Sequence, residues 1–291
     1  MVVNDDTEVP AFWQALGLPG LFDVHTHFLP ERMLRKVWAH FDAGGPLVGR
    51  PWPIRYRGSD EERAGHLRAM GVRRFTALAY AHRPAMAADL NAWTLGFAAR
   101  TPECVPSATF FPEPGVLDIV DAALAAGARI FKVHLQVGAY DPNDPLLEPV
   151  WGRLAETGTP VVVHAGSGPV ANGYTGPGPF GEVLRRHPAL VAVIAHFGAP
   201  EYEGFLDLAD RYPNVRLDTT MVFTTFFPGF PPALLPRVKE LGLAGRVLLG
   251  SDYPNIPHPY AHQLDSLQRL GLGEEWLRAV CWANAAGMME R

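Results

Sequence analysis

The triplet His25-Thr26-His27 closes a short apolar run, LFDVHTHF. In an extended strand, residues two apart face the same side, so both imidazoles point one way. Two histidines on one face suit a shared divalent cation, and catalytic zinc sites use His nitrogens while keeping one position for water. An HxH triplet alone is more often a surface coincidence. Other residues shift the balance: His134 lies in RIFKVHLQ, His164 ends PVVVHAG, His196 ends LVAVIAHFG and Asp252 ends RVLLGSD. So many polar groups at the ends of apolar runs, just before Gly or Pro turns, are poorly explained as core residues. A buried imidazole or carboxylate without a partner is costly, and a bound cation would serve all of them. A hydrogen-bonded cluster without metal is the other reading.

The elements that must carry these residues are legible from the same runs. Eight short, β-rich segments begin near Leu21, Val72, Cys104, Arg129, Pro160, Leu190, Val215 and Arg246. All but the first two lie about 30 residues apart, the length of one βα unit. Amphipathic patterns over 85–99, 115–126, 149–156, 181–186, 202–211 and 232–241 fill the intervals. Continuous apolar stretches such as VVVHA and VAVIAHF fit strands covered on both faces by helices. The spacing predicts an α/β chain folded as a distorted (β/α)8 TIM barrel, a single domain over residues 1–291. Its strand ends would bring the polar residues to one mouth. An open doubly wound sheet is the rival; it more often carries a glycine-rich turn after the first strand, where this chain has His-Thr-His. The long interval after the first run reads as an insertion over the mouth, FWQALGL as a cap at the opposite end, and AHQLDSLQRLG with EEWLRAVCWANAAGMM as extra C-terminal helices.

The phrases DVHTHFLPERM, FKVHL, VVVHAG, IAHFG and GSDYPNIP, in this order, resemble the amidohydrolase superfamily. More narrowly they are similar to the amidohydrolase-related (amidohydrolase 2) branch, which includes enzymes like amino-carboxymuconate semialdehyde decarboxylase. The resemblance implies that His25, His27, His164 and Asp252 hold a principal metal, expected to be zinc. It implies that His196 is the catalytic imidazole and that Asp252 also accepts the proton of the metal-bound water. One metal is the expectation. In several branches a fourth-strand lysine is carboxylated and bridges two metals; on that pattern Lys132 and His196 would be the added ligands. An uncarboxylated Lys132 that pairs with Asp or binds substrate is the alternative. The branch also implies a homodimer.

Substrate contacts carry weaker signals. Arg83, after the second run, could clamp a carboxylate or pair with a surface acid. His134 shares a strand face with Lys132 and reads as support for the ligands. Tyr253 and His258 follow Asp252, and Phe223, Phe226, Phe227 and Phe230 would wall a pocket or pack on a neighbouring loop. The expected activity is hydrolysis of a C–N or C–O bond (amide, ester or lactone) in a small molecule. Non-oxidative decarboxylation of an aromatic or unsaturated acid would need the same ligands. A metal-free binding barrel is the reading from another class.

Composition excludes other classes. Of 291 residues 48% are hydrophobic and 19% charged, which is ordinary for a globular chain. The net charge of −5 and the lack of a Lys/Arg run leave no basic surface for nucleic acid. No stretch approaches the roughly 20 apolar residues of a membrane span. The acidic start MVVNDDTEVP does not read as a signal peptide, and two distant cysteines, Cys104 and Cys281, fit a reduced, cytoplasmic setting.

Overall fold

Each apolar run read from the sequence contains a strand in the computed structural model, which describes residues 3–43, 51–226 and 229–290. The strands are β1 (Leu21–Asp23), β2 (Val72–Thr76), β3 (Cys104–Val105), β4 (Ser107–Thr109), β5 (Ile130–His134), β6 (Val161–His164), β7 (Ala192–Ile194), β8 (Val215–Asp218) and β9 (Val247–Leu248). β3 and β4 together make up the single run that begins at Cys104. Helices alternate with them over Ala87–Ala99, Val116–Ala125, Glu148–Thr157, Pro177–Arg186, Tyr202–Arg211 and Leu235–Leu243. The chain divides into two compact units, residues 77–218 and residues 1–76 with 219–291.

In the contiguous unit, β4 to β8 lie side by side in chain order, every pair parallel. Every residue of these five strands is buried. Parallel strands covered on both faces read as unbroken apolar runs, which is why VVV in β6 does not alternate with polar residues. The helices offer narrower stripes: Tyr202, Phe205, Leu206 and Ala209 are the buried face of the helix Tyr202–Arg211, at the 3.6-residue period. Gly158 ends the helix Glu148–Thr157 in the left-handed conformation that only glycine adopts cheaply.

The other unit is built from both ends of the chain. β1 pairs in parallel with β2. The helix Val9–Ala15 lies at the entry end of β1 and β2, with Trp13 Nε1 donating to the Met70 carbonyl (3.1 Å). Arg278 Nε donates to the Leu16 carbonyl (2.8 Å), tying the C-terminal helical stretch to it. The insertion after β1 contains the helix Glu31–Asp42. Its far limb rests on the loop that follows Asp252, through Trp52 Nε1 to the Asn255 carbonyl (2.8 Å) and Arg55 N to the Ile256 carbonyl (3.0 Å). Residues 44–50 of the insertion, and Phe227, lie outside the described residues. Among the described residues no helix is long and apolar enough to cross a membrane.

Candidate metal centre

His25, His27 and Asp252 meet because two short backbone segments run alongside each other. Val24 N donates to the Leu249 carbonyl (2.9 Å), Asp252 N to the His25 carbonyl (2.9 Å) and His27 N to the Tyr253 carbonyl (2.7 Å). Side chains alternate along this extension of β1. Thr26 turns toward β2, where its hydroxyl donates to the Thr76 carbonyl, and the two histidines turn the other way. Their rings lie 5.1 Å apart. Nε2 of His27 is 2.9 Å from Asp252 Oδ1, and Nε2 of His25 is 3.4 Å from the same oxygen. The His25 side chain is 1% exposed, whereas that of Asp252 keeps 21% of its surface.

Two imidazole nitrogens beside one carboxylate oxygen are donors of the kind that suit zinc or manganese. These three residues therefore fit a divalent ion. Asp252 holds a left-handed backbone, with φ at 70. Non-glycine residues adopt that conformation at a cost, and it concentrates at functional sites.

In the contiguous unit, β5 and β6 place His134 and His164 in register, with rings stacked 3.9 Å apart and 12° from parallel. The His196 ring stands 4.9 Å from that of His164. His164 Nε2 is 2.9 Å from the Gly168 carbonyl. A carbonyl can only accept, so Nε2 carries the proton and Nδ1 is the acceptor nitrogen of the ring. His134 is committed differently: its Nδ1 accepts from Val137 N (3.3 Å) at the start of a short helical turn. That lone pair is used, which fits support of the neighbouring His164 ring. His196 also has a left-handed backbone, and its N donates to Asp218 Oδ1 (2.9 Å). Lys132 is buried, in a position where lysine is kept with a partner or as a reactive amine.

The tentative substrate contacts separate. Arg83 is exposed in a turn. Tyr253, expected among the substrate contacts, is wholly buried and donates its hydroxyl to the Arg63 carbonyl (3.0 Å). Its polar group is spent in the interior. Phe223 packs on Phe230 (4.9 Å), and Phe226 on His258 (5.0 Å).

His258 is buried, and that burial pushes its pKa down to about 4, more than the Pro259 carbonyl and Asp252 raise it. The unfolded chain takes up this proton near pH 6.5, the folded chain only near 4. Stability from this group is therefore full above pH 6.5 and is lost as pH falls toward 4, by about 3 kcal/mol. Urea midpoints measured from pH 7 to 4 should fall less steeply for His258→Phe than for the wild type; parallel slopes would contradict this.

Two buried carboxylates carry roles that the sequence reading left unassigned. Asp23 Oδ1 accepts from His25 N (3.0 Å), while Oδ2 accepts from Ser251 Oγ (2.6 Å) and Tyr260 OH (2.9 Å). Asp218 ends β8 as Asp252 follows β9: an acid closing an apolar run before a turn was the available signal.

The amidohydrolase family model matches residues 22–289. No curated protein matches the chain. Among solved structures, an uncharacterized TIM-barrel protein from Bordetella bronchiseptica is similar at 20% identity and a TM-score of 0.74, covering 94% of this chain and 100% of that one. A probable 2-pyrone-4,6-dicarboxylic acid hydrolase from Acinetobacter baumannii, with citric acid bound, gives 14% identity and 0.63, over 94% and 100%. A 5-carboxyvanillate decarboxylase from Novosphingobium aromaticivorans, complexed with manganese and 4-hydroxy-3-methoxy-5-nitrobenzoic acid, gives 15% and 0.66, over 94% and 97%. These likenesses establish the fold, an α/β chain of the TIM-barrel kind.

Proposed function

This chain belongs to the amidohydrolase family, and from that premise we propose that it is a metal-dependent hydrolase acting on a C–N or C–O bond of a small amide, ester or lactone. The observation that carries the reading is the approach of His25 Nε2 and His27 Nε2 to one oxygen of Asp252. His25, His27, His164 and Asp252 would hold one zinc ion, with His164 contributing Nδ1, the acceptor nitrogen of the tautomer that Gly168 selects. When bound, such an ion supplies a Lewis acid and lowers the pKa of water. Asp252 takes the proton from the attacking water and delivers it to the leaving nitrogen or oxygen. Its partial exposure beside buried His25 suits a group that must meet both protein and substrate. His196 donates to the carbonyl oxygen as negative charge develops there. With a second metal, Lys132 and His196 would be its ligands. Both cysteines are buried and Cys281 has its thiol pushed up to about 12, so its inert thiol suits a reduced cytoplasmic setting.

A second reading, release of CO2 from an aromatic or unsaturated acid, draws support from the decarboxylase with the same fold. The same ligands would serve it, with Arg83 pairing the carboxylate. Zinc- and manganese-loaded protein should be assayed against panels of lactones, amides and aromatic acids, following acid release and CO2 separately. Chelator-sensitive hydrolysis is the expected result. CO2 release without hydrolysis would transfer the assignment to the second reading, and a protein that takes up no divalent metal would overturn both.

A further inference from the structure

The helix Tyr260–Arg269 begins after Pro259 with no capping bond from its own N-cap side chain. The first backbone N–H groups of a helix have no partner within it and must find one elsewhere. Here the partners come from near the start of the chain. Tyr260 N donates to Tyr56 OH (2.6 Å), and Ala261 N to Asp6 Oδ1 (3.0 Å). Tyr56 OH in turn donates to Asp6 Oδ2. Asp6 thus supplies both the acceptor and the negative charge that a helix N-terminus favours.

The anchored residue, Tyr260, is wholly buried, and its hydroxyl donates to Asp23 Oδ2 (2.9 Å). Asp23 reaches the metal ligands from both sides. Its Oδ1 holds the backbone N of His25, and its Oδ2 holds Ser251 Oγ, which also accepts from Tyr253 N (3.1 Å). Asp252 lies between the two residues that this hydroxyl joins. Asparagine could not replace the carboxylate at Asp23, because its NH2 would face donors where two oxygens now accept. Asp23 is wholly buried. A charge so placed is expensive, and the three donors from His25, Ser251 and Tyr260 offset that cost.

We propose that the hydrogen-bonded chain Asp6–Tyr56–Tyr260–Asp23 is a positioning device for the His25/His27/Asp252 metal site, setting its affinity and coordination geometry from the N-terminal turn. Tyr260 and Asp23 act through the backbone of His25 and the Ser251–Tyr253 turn. They are positioning residues, since neither is assigned a bond to metal or substrate. The inference rests on the metal reading above.

The test is chelator-competition titration of Zn2+, with the visible spectrum of the Co2+-loaded protein recorded alongside, at a temperature where every variant is folded. Removing a group that orients metal ligands weakens binding by about 10- to 100-fold. Tyr260→Phe should fall in that range and alter the Co2+ bands. Tyr56→Phe should weaken Zn2+ by a smaller factor in the same direction. Asn284→Ala removes two 2.8 Å bonds, to the Gly242 and Val247 carbonyls, without touching the chain. It should lower thermal stability and leave the Zn2+ affinity within about twofold. Tyr260→Phe binding Zn2+ like the wild type, or Asn284→Ala weakening it equally, would refute the positioning role while the metal reading stands. A wild-type protein that binds no Zn2+ would remove both.

Discussion

Asn in place of Asp252 is expected to cost turnover on the order of 10²- to 10⁴-fold, the usual contribution of a positioned proton carrier. The substitution isolates the chemistry because so little else need change. Asp252 has a left-handed backbone, and asparagine is among the few side chains that tolerate that region. The amide oxygen can stand where Oδ1 stands, 2.9 Å from His27 Nε2. What disappears is the negative charge and the capacity to take a proton. Steady-state kinetics, bound metal by elemental analysis and thermal melting form the measurement: turnover should collapse, with the melting temperature close to wild type and most metal retained. A variant that turns over normally would strip Asp252 of the assigned role.

Gly166→Ala should be a strongly disruptive single-methyl change in the unit that holds His164 and His196. A Cβ at Gly166 would lie 2.4 Å from the Ala199 carbonyl oxygen and 2.6 Å from the Gly198 carbonyl carbon. These are backbone atoms and cannot swing aside. Two residues earlier stands His164, and His196 is three residues before Ala199, so the loops forced apart are those that set the 4.9 Å ring separation. Overpacking of this kind costs about 3 kcal/mol, a drop in melting temperature on the order of 10 °C. Activity should fall with it. Gly173→Ala, where nothing lies within 4 Å of the new methyl, should move the melting temperature by little. Equal behaviour of the two variants would show that the close approach is not a constraint.

The phrases HAG and HFG in the sequence already contain this crossing, but only in retrospect. Periodicity identifies a strand by the burial of its own residues, so VVVH and VAVIAH were readable. It says nothing about which backbone passes within van der Waals distance of another. The eight runs, the order of helices and the shared face of His25 and His27 follow from local rules that each segment obeys alone. The role of Asp23 does not, because its partners Ser251 and Tyr260 lie 228 and 237 positions away. The interior placement of the Tyr253 hydroxyl was illegible for a related reason. Its nearness in sequence to Asp252 suggests a shared location, whereas its hydroxyl is bound to the Arg63 carbonyl, 190 positions away. The left-handed backbones at His196 and Asp252 left no compositional trace, since neither position is glycine.

The unit that holds His25, His27 and Asp252 is assembled from residues 1–76 and 219–291. During synthesis the two histidines emerge from the ribosome more than 200 residues ahead of the aspartate. The segment 77–218 is contiguous and can begin folding as a nascent chain, because domains generally fold as units in order of synthesis. Residues 1–76 must wait for residues 219–291, at the loop-closure cost of a very long separation. A chain halted before residue 252 would carry the histidine pair without its carboxylate.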